Sequence, residues 1–304
     1  MEPLFGCRRK VKMIQFAQTP VIEAPMEFEH SPFCCPSCHA DLQPQADRLI
    51  CVNCRIPYPI QQGIPLFAAE QDDGIFKDYA TDYDDHRASD LVSIHLNERR
   101  WQMLIDHIPP DGPILELGCG TGTFLEYGFQ RNFTSALNPQ RFYGIDLSPA
   151  MLFLARKRLP GSLTLTQADG ATLPFRDNSF SLVFSQLLLH HIHSHLDVHL
   201  REMFRVLQPS GTLWVLDSNP RNPLWWFIMR QECEKDAKQI PLSLLLGHLD
   251  RMGARQIQFR YHGTMPQRIP HFLYPLMRGI EQIWERVPVL STFSTHYLAT
   301  CSKG

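Results

Sequence analysis

Three glycines at alternate positions, Gly118, Gly120 and Gly122, follow Ile114-Leu115-Glu116-Leu117 and precede Thr123-Phe124-Leu125-Glu126-Tyr127. That order reads as a short buried strand, a bare turn and a helix. Residues without Cβ atoms let a backbone press against a nucleotide-like ligand, and a helix N-terminus turns unpaired N–H groups towards an anion. A dinucleotide turn wants G-x-G-x-x-G, but Thr123 stands where its last glycine would be, and the acid Glu116 lies inside the strand. An ordinary tight strand-to-helix turn is the plainer alternative.

A second set of residues has the spacing of metal ligands. Cys35 and Cys38, then Cys51 and Cys54, form two C-x-x-C pairs with 12 residues between them. Each pair can fold as a knuckle with both sulfurs facing one tetrahedral ion, so the two would close a four-thiolate zinc site. The gap is shorter than the usual ~15–20 residues, yet long enough for one hairpin. Disulfides and a redox pair compete with this reading. A reducing cytosol argues against the first, and the doubling of the motif against the second. Cys34 could replace Cys35, with His30 and His39 as weaker substitutes. Such a closed site has no open position for substrate, so the metal would be structural.

Two more acids end candidate strands. Residues 141–146 end on Asp146, followed by Ser148 as a helix cap and Pro149 at the first helical position. A carboxylate there can accept both hydroxyls of a ribose. Residues 163–169 end on Asp169, with Gly170 next. A fourth strand over 179–185, an amphipathic helix over 197–207 and a fifth strand over 211–217 continue the alternation. The expected fold is therefore α/β, a doubly wound and mostly parallel sheet with helices on both faces.

The string Glu116-Leu-Gly-Cys-Gly-Thr-Gly122 resembles the first motif of the class I S-adenosylmethionine-dependent methyltransferases, of the type 11-like kind. Gly144-Ile-Asp-Leu-Ser-Pro-Ala-Met-Leu152 resembles their second motif, and the likeness covers about residues 110–220. It implies a Rossmann-like sheet of seven strands and the cofactor S-adenosyl-L-methionine. The methionine end would lie over the glycine turn, the ribose on Asp146 and the adenine amino group on Asp169. The cofactor-binding candidates are Glu116, Gly118, Cys119, Gly120, Gly122, Asp146, Leu147, Asp169, Gly170 and Gln186. Residues 55–67 resemble the zinc-ribbon segment of small Trm112-like proteins. In the family the loop from Gln186 to His191 lies between cofactor and acceptor.

His190 and His191 are the candidate catalytic residues, because a histidine at a cleft edge titrates where a general base must. Capping or packing is the competing role. His193, His195 and His199 read as surface histidines rather than a metal cluster.

Several elements must position these residues. A leader over 1–30 is expected to be poorly ordered, followed by a zinc ribbon over 31–68 and a linker with N-terminal helices over 69–110. The methyltransferase domain would occupy 111–304, with a C-terminal cap insertion at about 220–290 (a boundary read by the domain-size rule). In the linker, Tyr79 and Tyr83 are minor candidates to cover the cofactor. A helix over 91–108 has Leu91, Ile94, Trp101, Leu104 and Ile108 on one side. No role follows for the long connection over 131–140. A helix is expected over 240–253, and residues 255–261 and 294–301 read as antiparallel last strands. Between those strands Leu273, Leu276, Met277, Ile280 and Trp284 cluster at helical spacing. Core packing is the first reading; a lid over a lipophilic acceptor, or a face resting on a membrane, is the other.

The 304 residues carry a net charge of −2 and are 44% hydrophobic, enough for one large domain or two smaller ones. After residue 220 there are 11 Lys and Arg against 6 Asp and Glu, but no basic run that would mark a nucleic-acid tail. No apolar stretch is long enough to span a bilayer and no signal-peptide core follows Met1, which makes the cytoplasm the default. The expected acceptor is a small lipophilic molecule methylated at oxygen or carbon, resting on the apolar segment around Trp225 and Trp226. Methylation of an rRNA or tRNA base is the alternative, kept by the cationic C-terminal third. Docking of a partner protein by the ribbon is a further one.

Overall fold

The structure is a computed structural model, and it describes residues 31–68, 91–134, 137–223, 238–264 and 271–304. Expectations on the leader, on Tyr79 and Tyr83, and on Trp225 and Trp226 lie outside the described residues.

The chain opens with four short strands, β1 (Leu42–Gln45), β2 (Arg48–Cys51), β3 (Pro57–Gln61) and β4 (Ile64–Pro65), paired in sequence order and antiparallel. Helix α1 (Leu91–Ile105) leads to β5 (Ile114–Leu117), α2 (Thr123–Arg131), β6 (Phe142–Asp146), α3 (Pro149–Arg158) and β7 (Thr164–Gln167). Then come β8 (Phe180–Gln186), α4 (Leu196–Val206), β9 (Leu207–Ser218), α5 (Leu242–Arg251) and β10 (Arg255–His262). Two helices, α6 (Tyr274–Arg286) and α7 (Pro288–Ser291), precede the last strand β11 (His296–Ser302).

The main sheet has seven strands in the order β10-β11-β9-β8-β5-β6-β7. Strands β5 to β9 are parallel, and β11 is antiparallel to both β9 and β10. The two closing strands pair antiparallel, as expected, although β10 itself runs in the direction of the parallel strands. The chain crosses over between β9 and β10, which keeps β10 parallel, whereas it leaves and returns at one end of the sheet between β10 and β11. Strand order reverses between β5 and β8, and in open α/β sheets a ligand crevice forms at that point.

Alternation along each strand sends side chains to two cores. Leu115, Leu117, Val183, Leu213 and Val215 face α4 and α5, while Ile114, Phe142, Leu182, Phe184 and Trp214 face α1, α2 and α3. Trp101 of α1 is fully buried against Phe124 with ring centroids 4.7 Å apart, and its indole N–H donates to the Phe124 carbonyl at 2.8 Å. Gly128 on α2 leaves the room that this indole fills. Leu91 is exposed, contrary to the expected stripe, because α1 turns Val92, Leu96, Met103 and Leu104 inwards with Trp101.

The ribbon covers the β7 edge of the sheet. Leu66 bridges Gln167 in parallel register, and the Phe67 N–H donates to the Gln167 carbonyl at 2.9 Å. Nearby, the Cys34 N–H donates to Pro174 and the Arg176 N–H to Pro32. Phe33 is buried against Phe67, Tyr143 and Phe175 from both parts of the chain. An edge strand with unpaired backbone groups is an aggregation template, and this contact removes it.

Candidate functional site

The crevice at the switch point is built from the carboxyl ends of β5, β6, β7 and β8. All three glycines of the turn after β5 have left-handed backbones, with φ of 71°, 53° and 75°. A Cβ at Gly118 would stand 2.9 Å from Leu188 Cδ1, so that glycine lets the loop after β8 close over the turn. A Cβ at Gly120 would meet nothing within 4 Å, so the backbone there faces open space.

Asp146 locks this turn to the end of β6. Its Oδ2 accepts the Gly120 N–H at 2.8 Å and its Oδ1 the Ser148 N–H at 3.0 Å. Ser148 in turn caps α3 by accepting the Met151 N–H, with Pro149 next in the helix. Glu116 is buried, and its Oε1 accepts from Gln186 Nε2 at 3.0 Å. Among the described residues, its Oε2 and the Gln186 Oε1 are buried with no hydrogen-bond partner. Burial pushes the Glu116 carboxyl up to about 8, with Gln186 opposing and the Asp146 charge adding to the rise.

Asp169 follows β7 and is partly exposed. It accepts the Ala171 N–H at 2.9 Å, and His199 Nε2 stands 3.6 Å from the same oxygen. The His199 ring, with that N–H, outweighs desolvation and holds the carboxyl below its usual range. A Cβ on Gly170 would press on His199 Cδ2 at 2.8 Å. Cys119 differs from its neighbours in the turn. Its thiol packs into the core beside Gly144, its N–H donates to the Ile145 carbonyl and its carbonyl accepts the Gly122 N–H, both at 2.9 Å. Leu147 is exposed, and its carbonyl accepts from Gln167 Nε2 at 3.2 Å.

Of the histidines expected at the surface, His195 is exposed and His193 half-buried, but His199 is buried against Asp169; the catalytic candidate His190 is buried against Asp217. His190 Nδ1 lies 2.7 Å from Asp217 Oδ1 at the end of β9, and the His191 ring packs on it at 4.2 Å. Asp217 also accepts N–H groups from Leu189 and Ser218, both at 2.6 Å. Burial raises its carboxyl, but His190 and Ser218 together hold it below the usual range. Neither Asp217 nor His199 is among the sequence candidates. Asp217 ends a strand, as Asp146 does, and that is the signal which could have found it.

In the ribbon, the sulfurs of Cys35, Cys38, Cys51 and Cys54 lie within 4.8 Å of one another. Cys35 and Cys54 are 3.6 Å apart, Cys38 and Cys51 3.4 Å, and the Tyr58 hydroxyl sits 3.1 Å from Cys35 Sγ. Cys34 is outside the group, with its Sγ 3.9 Å from His39 Nδ1.

Residues 115–215, from β5 through most of β9, match the family described as Methyltransferase domain. This stretch is a class I methyltransferase domain. It is 39% identical over 111 residues to the phthiotriol/phenolphthiotriol dimycocerosates methyltransferase of Mycobacterium leprae, covering 36% of this chain and 38% of that protein. The ubiquinone/menaquinone biosynthesis C-methyltransferase UbiE of Ectopseudomonas mendocina is 33% identical over 165 residues, or 51% of this chain and 61% of that protein. The chain thus spans less than two thirds of these relatives' length. Among solved structures, a SAM-dependent methyltransferase of Thermotoga maritima superposes with a TM-score of 0.55 at 16% identity, over 76% of this chain and 100% of that one. A chain from the complex of the Haloferax volcanii Trm112 methyltransferase activator with a methyltransferase gives 0.53 at 19% identity, over 78% and 99%. Both likenesses concern the fold. The methyltransferase domain places its glycine turn, Glu116, Asp146 and Asp169 around one crevice.

Proposed function

We propose that the chain transfers a methyl group from S-adenosyl-L-methionine to oxygen or carbon of a small lipophilic acceptor. The observation that carries this is the buried Glu116 Oε2, without a hydrogen-bond partner among the described residues, beside the open backbone of Gly120. A buried carboxylate oxygen without a partner is costly unless a ligand completes it, and the cofactor carries a cationic amino group. Asp146, held by two backbone N–H groups, keeps lone pairs for ribose hydroxyls, and Asp169 with Gly170 suits the adenine edge. The bound cofactor supplies an activated methyl on its sulfonium, so the chain needs no nucleophile of its own. What the chain contributes is position, worth ~7–11 kcal/mol in favourable cases. His190, oriented by Asp217, is the residue proposed to take the proton of a hydroxyl acceptor, with His191 packed on it.

The acceptor class rests on the two relatives, one a methyltransferase of phthiotriol and phenolphthiotriol dimycocerosates and the other a C-methyltransferase of ubiquinone and menaquinone biosynthesis. We further propose zinc in the ribbon. A Zn–S bond of ~2.3 Å in a tetrahedron puts sulfurs about 3.8 Å apart, close to the Cys35–Cys54 and Cys38–Cys51 separations. Thiolates kept for zinc imply a reducing compartment, and on that ground the cytoplasm is our proposed location.

Labelled methyl supplied on the cofactor to a cell extract, then split into organic-soluble metabolites, RNA and protein, tests the reading. Label in the organic fraction supports it. Label confined to RNA would transfer the assignment to a base methyltransferase.

A further inference from the structure

Helix α6 is amphipathic in the wrong sense for a protein surrounded by water. Its inward face carries Glu281, 1% exposed, while Leu276, Ile280 and Ile283 on the outward face are 60%, 39% and 64% exposed. At about 100° per residue those three apolar residues fall within an arc of about 60°, opposite Glu281 and Glu285. Phe272 before the helix, and Val289 and Phe293 after it, extend the patch at 79%, 70% and 43% exposure. Of the stripe expected from the sequence, Met277 packs on Val92 and Leu96, and Leu273 and Trp284 are half-buried, whereas Leu276 and Ile280 point outwards and are not core packing.

Every acid of the helix is consumed on the inner side. Glu281 lies 2.7 Å from His95 Nε2 and accepts from Arg99 at 2.9 Å, with the Thr264 N–H at 3.2 Å. Glu285 accepts from Arg99 at 2.6 Å and from the Gly263 N–H at 2.8 Å, with His262 Nδ1 at 3.3 Å. The remaining charges of α6 are Arg278 and Arg286, both exposed and, among the described residues, outside any ion pair. A contiguous apolar patch of this kind needs a partner; Arg286 flanks the apolar arc and favours an anionic one, whereas Arg278 falls on the opposite side of the helix.

The patch also has a defined place. β10 runs parallel to β9, so residues 263–295 leave and return at the end of the sheet where the glycine turn lies. Asn219, just beyond β9, donates its Nδ2 to the carbonyls of Thr292 and Ser294, and Asn222 donates to Phe293. These bonds fasten the segment after α7 to Asn219, which is two residues along the chain from Asp217, the partner of His190.

We propose that the α6–α7 face docks the protein, without spanning, on the anionic surface of a lipid bilayer. That this brings a lipophilic acceptor to the crevice rests on the proposed function; the docking itself does not. Among the described residues no helix is long and apolar enough to cross a membrane, which is consistent with a contact in the interfacial plane.

The test is co-sedimentation of the full chain with phosphatidylglycerol–phosphatidylcholine vesicles and with phosphatidylcholine vesicles alone. Wild type should partition onto the anionic vesicles, and the double variant Leu276→Ser, Ile283→Ser should lose at least about tenfold of that partition. Arg286→Gln should weaken binding to the anionic vesicles more than to the neutral ones. Both variants should keep the wild-type melting temperature, since the altered side chains are exposed. Wild type that stays in the supernatant overturns the proposal, as does a double variant that binds like wild type. A wild-type dimer in analytical ultracentrifugation that the double variant breaks, with no vesicle binding, assigns the face to a second copy and overturns it equally. Cofactor affinity measured on the same samples reports separately on the methyltransferase reading.

Discussion

His190 and Asp217 meet at 2.7 Å beneath the loop that follows β8. The carboxyl is held below its usual range and so acts as the acceptor, which favours the ring tautomer with its proton on Nδ1. That leaves Nε2 as the basic nitrogen of the ring. His190→Gln should lower the rate of transfer to a hydroxyl acceptor by about 10²–10⁴-fold. Cofactor affinity should stay within about twofold, because His190 is not among the groups proposed to hold the cofactor. Single-turnover rates and calorimetric titration of the cofactor check both halves, and an unaltered rate would reduce His190 to a packing role.

Glu116 gives the cofactor-free protein a defined pH response. Its folded-state carboxyl is raised from 4.5 to about 8, so between those values the folded chain keeps a proton that the unfolded chain has lost. This contribution to stability is fully present below 4.5 and is lost as pH rises to about 8. The urea midpoint should fall across that window, and Glu116→Gln should flatten the fall. A slope equal to wild type in the variant would show that another group is responsible.

The ribbon is tied to the cofactor crevice through one side chain. Gln167 Oε1 accepts the Ala68 N–H at 2.9 Å, and its Nε2 donates to the carbonyl of Leu147, next to Asp146. Metal analysis of purified protein should find about one zinc per chain. Chelation, or Cys51→Ser, should uncover the β7 edge, promote aggregation and weaken cofactor binding. Phe33→Ala, at the aromatic contact between ribbon and sheet, should cost about 3–5 kcal/mol of stability by chemical denaturation.

Arg99 neutralises two acids at once, Glu281 and Glu285. Removing one partner of a buried pair strands the other charge, so Arg99→Ala should cost about 3–5 kcal/mol, read as a lower melting temperature. His262, the Gly263 N–H and Arg99 overcome burial to lower Glu285 from 4.5 to about 2. Stability from this contact is therefore present above pH 4.5 and lost as pH falls to about 2. Glu285→Gln should remove that acid dependence.

Local rules carried much of this molecule. The G-x-G-x-G turn, the acids that end β6 and β7, the Ser148 cap and the paired C-x-x-C knuckles depend on neighbours a few residues apart, and so were legible in the chain. Strand–helix alternation likewise sufficed for a parallel sheet. Periodicity showed that α6 has an apolar stripe, but not which way it points. That was decided by Arg99 and His95 on α1 and His262 on β10, which hold Glu281 and Glu285 on the inner face beside the contact of Met277 with Val92 and Leu96. The pairing of His190 with Asp217 is a contact across 27 residues, and that of Ala68 with Gln167 across 99. Such contacts are fixed by how strands are ordered in the sheet, and a one-dimensional pattern of polar and apolar residues does not carry that order.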